Sequence, residues 1–94
     1  MIQSKYVVWT DPSHAWIEVP LSELKELCLL DKISSLSYQN KDNVYLEEDV
    51  DGAMFLELID NYDYELDERF EEESRVRKYK PYKGGLQWWQ HITG

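Results

Sequence analysis

Of the 94 residues, 43% are hydrophobic and 14% aromatic, and the net charge is −9. That length holds one small domain, and large rings help a core of this size because each buries much area. No apolar stretch approaches the roughly 18 residues of a membrane span, the opening "MIQSKYVVWT" lacks the charged and apolar regions of a secretory signal, and the single cysteine, Cys28, excludes an internal disulfide and fits a reducing, cytoplasmic setting.

Charge is unevenly placed. Residues 1–73 carry 5 Lys and Arg against 19 Asp and Glu, whereas residues 74–94 carry 5 Lys and Arg and no acid. The main body therefore repels nucleic acid through its long-range field and attracts basic proteins, including those that hold DNA or RNA. Only the tail has the opposite sign.

In chain order, "KYVVWT" (5–10) is β-branched and aromatic and reads as a strand. "DPSH" (11–14) is turn chemistry. "AWIEV" (15–19) alternates, with Ala15, Ile17 and Val19 on one face and Trp16 and Glu18 on the other, so the two strands form a hairpin. Pro20 breaks the pairing. A short helix follows in "LSELKELCLL", with Ser22 as N-cap and Leu24, Leu27 and Cys28 on its apolar face. "LSYQ" (36–39) and "NVYLEE" (43–48) flank the turn "NKDN" and predict a second hairpin. The second helix starts near Asp49 or Asp51. Its apolar stripe is Phe55, Leu58, Ile59, Tyr62 and Leu66, and Glu57, Asp60, Asp63 and Glu65 face water. "DERFEEE" (67–73) reads as a loop or frayed helix end, and "SRVRKYKPY" (74–82) as a last edge strand.

These elements predict one α+β domain over residues 1–82. It is an antiparallel sheet built from two hairpins, ββαββα with room for a further edge strand, and two helices pack on it. Residues 83–94, "KGGLQWWQHITG", form a C-terminal tail, flexible or docked, in which Trp88 and Trp89 offer a homodimer contact.

The stretch "LEEDVDGAMFLEL" looks at first like a calcium loop. Aligning Gly52 to position 6 of an EF-hand puts Glu47, Asp49 and Asp51 at positions 1, 3 and 5. Position 12 is then Leu58, which cannot ligate, and a strand rather than a helix precedes the loop. Helix capping by Asp49 or Asp51 accounts for one carboxylate. The surplus carboxylates are either a solvated face or a docking face for a basic partner. Cys28, His14 and His91 form no recognisable catalytic set, and two histidines and one cysteine at wide spacing do not make the usual zinc ligand pairs. No catalytic residue, metal or cofactor is expected. In the tail, Arg75, Arg77, Lys78, Tyr79 and Lys80 alternate charge with rings. That composition suits a nucleic-acid track, or an edge strand that neutralises the acidic body.

"HAWIEVP" (14–20), "DKISSLSY" (31–38), "VYLEEDVDGAMF" (44–55) and "SRVRKY" (74–79) resemble, in this order, small accessory proteins encoded on phages, prophages and plasmids. The resemblance implies an accessory protein expressed inside a bacterial host. Proteins of that kind often counter host defences, and small acidic ones can do so by imitating nucleic-acid charge.

The functional expectation is therefore an acidic interaction protein. It binds and inhibits a basic, nucleic-acid-handling host protein such as a restriction nuclease or a CRISPR effector complex. The partner-binding set is Glu47, Glu48, Asp49, Asp51, Glu57, Asp60 and Asp63, with Trp16, Tyr62 and Tyr64 as apolar anchors. The alternative is a nucleic-acid-binding regulator that uses residues 75–83. An enzyme using His14 with nearby acids is a third class.

Overall fold

The computed structural model describes residues 2–83, so the tail with its Trp88–Trp89 contact, and His91, lie outside the described residues. The chain runs β1 (Lys5–Thr10), β2 (Ala15–Pro20), α1 (Leu21–Glu26), β3 (Tyr38–Asn40), β4 (Asn43–Glu47), α2 (Asp51–Leu58), β5 (Glu65–Phe70) and β6 (Lys80–Pro81), with 3₁₀ turns at Leu30–Lys32 and Arg75–Lys78. The strands form one six-stranded sheet in the order β5-β1-β2-β4-β3-β6. Every pairing is antiparallel except β1 with β5. This is the expected α+β architecture, and both hairpins are present.

Period-2 alternation divides the sheet into two buried faces. Tyr6 and Val8 of β1, Ala15, Ile17 and Val19 of β2, and Val44 and Leu46 of β4 point to the helix side, where Leu24, Phe55 and Ile59 cover them. The Tyr6 ring meets Phe55 edge-on at 5.3 Å. Trp9, Trp16 and Tyr45 point the other way and close around Val76. Polar caps hold the rings at the margins: the Trp9 indole donates to Glu18 at 3.1 Å, and the Tyr82 hydroxyl donates to the Leu30 carbonyl at 2.6 Å.

Three local expectations change. First, α1 begins at Leu21 directly after Pro20, without a side-chain cap from Ser22, because Pro pre-sets the entry and the Leu21 N–H is taken by the Asp42 carbonyl. Cys28 leaves the helix altogether. Leu29 N–H donates to Leu24 O and Cys28 N–H to Lys25 O, a Schellman closure that puts Cys28 in the left-handed region at φ 60. It is exposed rather than part of an apolar stripe.

Second, α2 stops at Leu58, so Tyr62 and Leu66 belong to no helical stripe. Only Phe55 and Ile59 of the proposed series are buried. The run Asp60-Asn61-Tyr62-Asp63 is turn chemistry that ends the helix, and "ELDERF", expected as helix end and loop, is β5. Its charges hide a strand that forms through pairing with β1. Third, the basic stretch is mostly not an edge strand. Residues 75–78 wind into a 3₁₀ turn capped by the Ser74 hydroxyl, and only Lys80–Pro81 pair with β3.

A side chain at a left-handed position costs roughly 1–2 kcal/mol, partly offset by the extra chain freedom of glycine, about 0.5–1 kcal/mol. Cys28→Gly is therefore expected to stabilise the domain by about 0.5–1 kcal/mol in urea unfolding. A loss of stability would mean that the thiol makes contacts worth more than the backbone strain.

Candidate functional site

The junction between β4 and α2 assembles neither a calcium loop nor a simple aspartate cap. Asp51 is 2% exposed, and its carboxylate turns back onto the 34–37 loop. It accepts from the Ser34 N–H at 3.1 Å, the Ser34 hydroxyl at 2.7 Å and the Ser37 hydroxyl at 2.5 Å. Ser37 Oγ in turn accepts the Glu47 N–H at 3.0 Å. Glu47 is 9% exposed; its Oε1 accepts the Asp49 and Val50 N–H groups, both at 3.0 Å. Glu47, not Asp49 or Asp51, thus satisfies backbone donors at the turn into α2. The three EF-hand positions point to three different tasks and do not converge on an ion.

Gly52 has its own reason to be there. A Cβ at this position would sit 3.0 Å from the Glu47 carbonyl, 3.2 Å from Ile17 Cδ1 and 3.3 Å from the Leu46 carbonyl. The first turn of α2 rests directly on the backbone of β4, which holds these residues in one rigid corner.

Burial removes Asp51 and Trp16, which is 2% exposed, from a partner-binding surface, and leaves Glu47 little area to offer. Trp16 is covered because Arg77 lies over its ring at 5.1 Å and Tyr38 packs edge-on at 6.2 Å. Tyr64 is half-buried against Tyr6. Glu48, Asp49, Glu57, Asp60, Tyr62 and Asp63 are exposed. The apolar residues that stand in water with them were not anticipated: Leu58 at 52%, Leu66 at 43% and Phe70 at 60%, beside Tyr62 at 56%. Leu66, Glu68 and Phe70 are paired with Tyr6, Val8 and Thr10, so they share the helix side of the sheet, beyond the reach of the helices. The shared face comes from pairing with β1; "LDERF" has no clean apolar alternation to show it, and the helical stripe pointed elsewhere.

The basic segment is largely engaged with the body. Arg75 forms an ion pair with Glu71 at 3.0 Å and lies 3.9 Å above the Trp9 ring. Arg77 donates from Nε to Asp11 Oδ2 at 2.6 Å and from Nη2 to Oδ1 at 3.3 Å. Tyr79 packs on Tyr45 at 5.0 Å. Lys78 and Lys80 remain exposed. Together with Lys41 and Lys83 they line a cleft of ≈ 590 Å³ that has no carboxylate among its described lining residues.

Another acid with a buried role is Glu23, which accepts the Tyr6 hydroxyl. Burial pushes its carboxyl above the usual range, and burial together with this bond raises the Tyr6 phenol. Nothing in "LSELKEL" distinguishes Glu23 from its exposed neighbours.

Two expectations follow from this geometry. Gly52→Ala is expected to destabilise by about 1–3 kcal/mol, because overpacking against fixed carbonyls outweighs the roughly 1 kcal/mol that alanine gains in a helix; chemical unfolding measures it. The hydrogen bonds from Arg77, followed by the His14 and Ser13 N–H groups, hold the Asp11 carboxyl well below the ordinary range. A depressed folded-state value stabilises the fold above the ordinary value near 3.9 and loses that contribution as pH falls through the folded value. Asp11→Asn is expected to lower stability at neutral pH and to flatten the acid limb below about pH 4, read from unfolding curves across that range.

No protein-family model, curated protein or solved structure matches the chain.

Proposed function

We propose that the chain is an acidic interaction protein that docks the end of α2, the 59–64 turn and β5 onto a basic protein. The observation that carries this reading is the exposure of Leu58, Tyr62, Leu66 and Phe70 within a strongly acidic stretch. Between Glu57 and Glu73 there are nine Asp and Glu and one cation, Arg69, which is itself paired with Asp67 at 2.9 Å. Solubility alone accounts for the carboxylates but not for four large apolar side chains among them. In a docking face the two have separate tasks: the rings and leucines supply desolvated contact, and the carboxylates steer and orient a positive surface.

Glu57, Asp60, Asp63 and Tyr62 keep the roles expected of them, with Leu58, Leu66 and Phe70 replacing Trp16 as anchors. The partner class is a protein whose basic groove holds nucleic acid, such as a host nuclease or effector complex, and occupation of that groove by carboxylates inhibits it. The resemblance read from the four sequence blocks, to phage and plasmid accessory proteins, would imply the same class. No helix among the described residues is long and apolar enough to cross a membrane.

A second reading rests on the cleft of Lys41, Lys78, Lys80 and Lys83, which suits a phosphate backbone. It makes the chain a nucleic-acid-binding regulator, with Arg75 and Arg77 structural rather than ligand-binding.

The discriminating experiment uses paired baits, wild type and Leu66→Ser/Phe70→Ser, both exposed changes that leave the core intact. A basic nucleic-acid-handling protein is expected on the wild-type bait alone, and its purified form is expected to be displaced by DNA or RNA. Its affinity should fall at least about tenfold with Glu57→Lys/Asp60→Lys/Asp63→Lys and weaken on raising salt from about 0.1 to 0.5 M. Identical retention on both baits sinks this reading. Tight DNA or RNA binding by the isolated chain, lost in Lys78→Glu/Lys80→Glu, establishes the second.

A further inference from the structure

We propose that His14, Glu47 and Glu48 bind one divalent transition-metal ion, of the zinc or cobalt kind, at the open end of the β2–β4 ladder. One imidazole nitrogen of His14 and one carboxylate oxygen from each glutamate all lie within 4.8 Å of one another. Sequence spacing argues against zinc because these residues are far apart along the chain. Strand register removes the objection: Trp16 pairs with Glu47, and the Glu48 N–H donates to the Ala15 carbonyl at 3.1 Å. His14 and Glu48 therefore flank the last rung of the ladder from opposite strands.

Each ligand is held by something other than the ion. The β1–β2 turn presents His14. Its N–H and that of Ser13 donate to Asp11 Oδ1 at 2.8 and 2.9 Å, its carbonyl accepts the Asp11 N–H at 2.9 Å, and Arg77 clamps the same carboxylate. Glu47 is the fixed ligand. It is 9% exposed, and its Oε1 is fixed by two backbone N–H groups, which leaves Oε2 as the oxygen it can offer an ion. Glu48 and His14 are exposed and free to close, by side-chain rotation, from this spacing to the roughly 2.0–2.2 Å bonds of zinc.

The donor set indicates the ion. Imidazole nitrogen with carboxylate oxygen suits zinc and its first-row neighbours, whereas calcium and magnesium prefer all-oxygen shells. Three protein ligands leave at least one position open. A cleft of ≈ 340 Å³ lined by His14, Glu47, Trp16, Tyr38 and Arg77 adjoins them and has room for water or an exchangeable ligand. The Arg77 charge in that cleft is offset by Asp11. The site is separate from the Leu58–Phe70 surface and does not depend on the docking role assigned to it.

The test is titration of the full chain, free of any polyhistidine tag, with Zn²⁺ by calorimetry and with Co²⁺ by visible absorption. One ion per chain is expected, with Co²⁺ bands of low coordination number. His14→Ala and Glu48→Gln, both exposed positions, are each expected to weaken binding at least about tenfold while Asp60→Asn has no effect. Less than one ion per chain overturns the proposal. So does an ion whose affinity is unchanged in both variants, because it would then sit on the general acidic surface.

Discussion

The clamp of residues 74–79 across the second face of the sheet is the contact on which the rest depends. A sheet with helices on one side only would leave Trp9, Trp16 and Tyr45 in water. Val76, fully buried, sits among those rings, and the guanidinium groups of Arg75 and Arg77 lie over Trp9 and Trp16. Cation–π contact and ion pairing act on the same two arginines, so each is anchored at both its charge and its planar face. The uneven charge of the sequence thus has an internal purpose: the basic segment closes the acidic body and does not reach away from it. The same clamp sets the β1–β2 turn through Asp11 and sends the chain on to β6.

Much of the fold was legible because its elements carry period-2 patterns with turn residues between them. "KYVVWT", "AWIEV" and "NVYLE" needed no tertiary information, and the two faces of β2 were assigned from alternation alone. The failures have a common cause. β5 is a strand only because β1 offers it a partner, and a run such as "ELDERF" has no local preference that would reveal this. The helical stripe through Tyr62 and Leu66 was a coincidence of spacing that the Asp60–Asp63 turn overrode.

At the site, residue type was legible but residue role was not. Four carboxylates within five positions looked alike in sequence. In three dimensions Asp51 is a buried hub for two serines, Glu47 binds the backbone of the turn, and Glu48 and Asp49 face solvent. What separates them is the parity of β4 and the docking of α2 at Gly52, both long-range facts. His14 near the acidic turn is likewise a product of strand register.

The parallel pairing of β1 with β5 joins the two most distant paired strands in the described chain, and β5 buries almost nothing in return. Its closure entropy is offset mainly by backbone hydrogen bonds, because burial contributes little to holding β5 in place. An opening of β5 would bare the flank of β1, a β-branched and aromatic strand well suited to pairing with a second molecule. The acids that crowd β5 would then stay tethered beside the bared edge, where their charge opposes approach of a like-charged copy of the same protein.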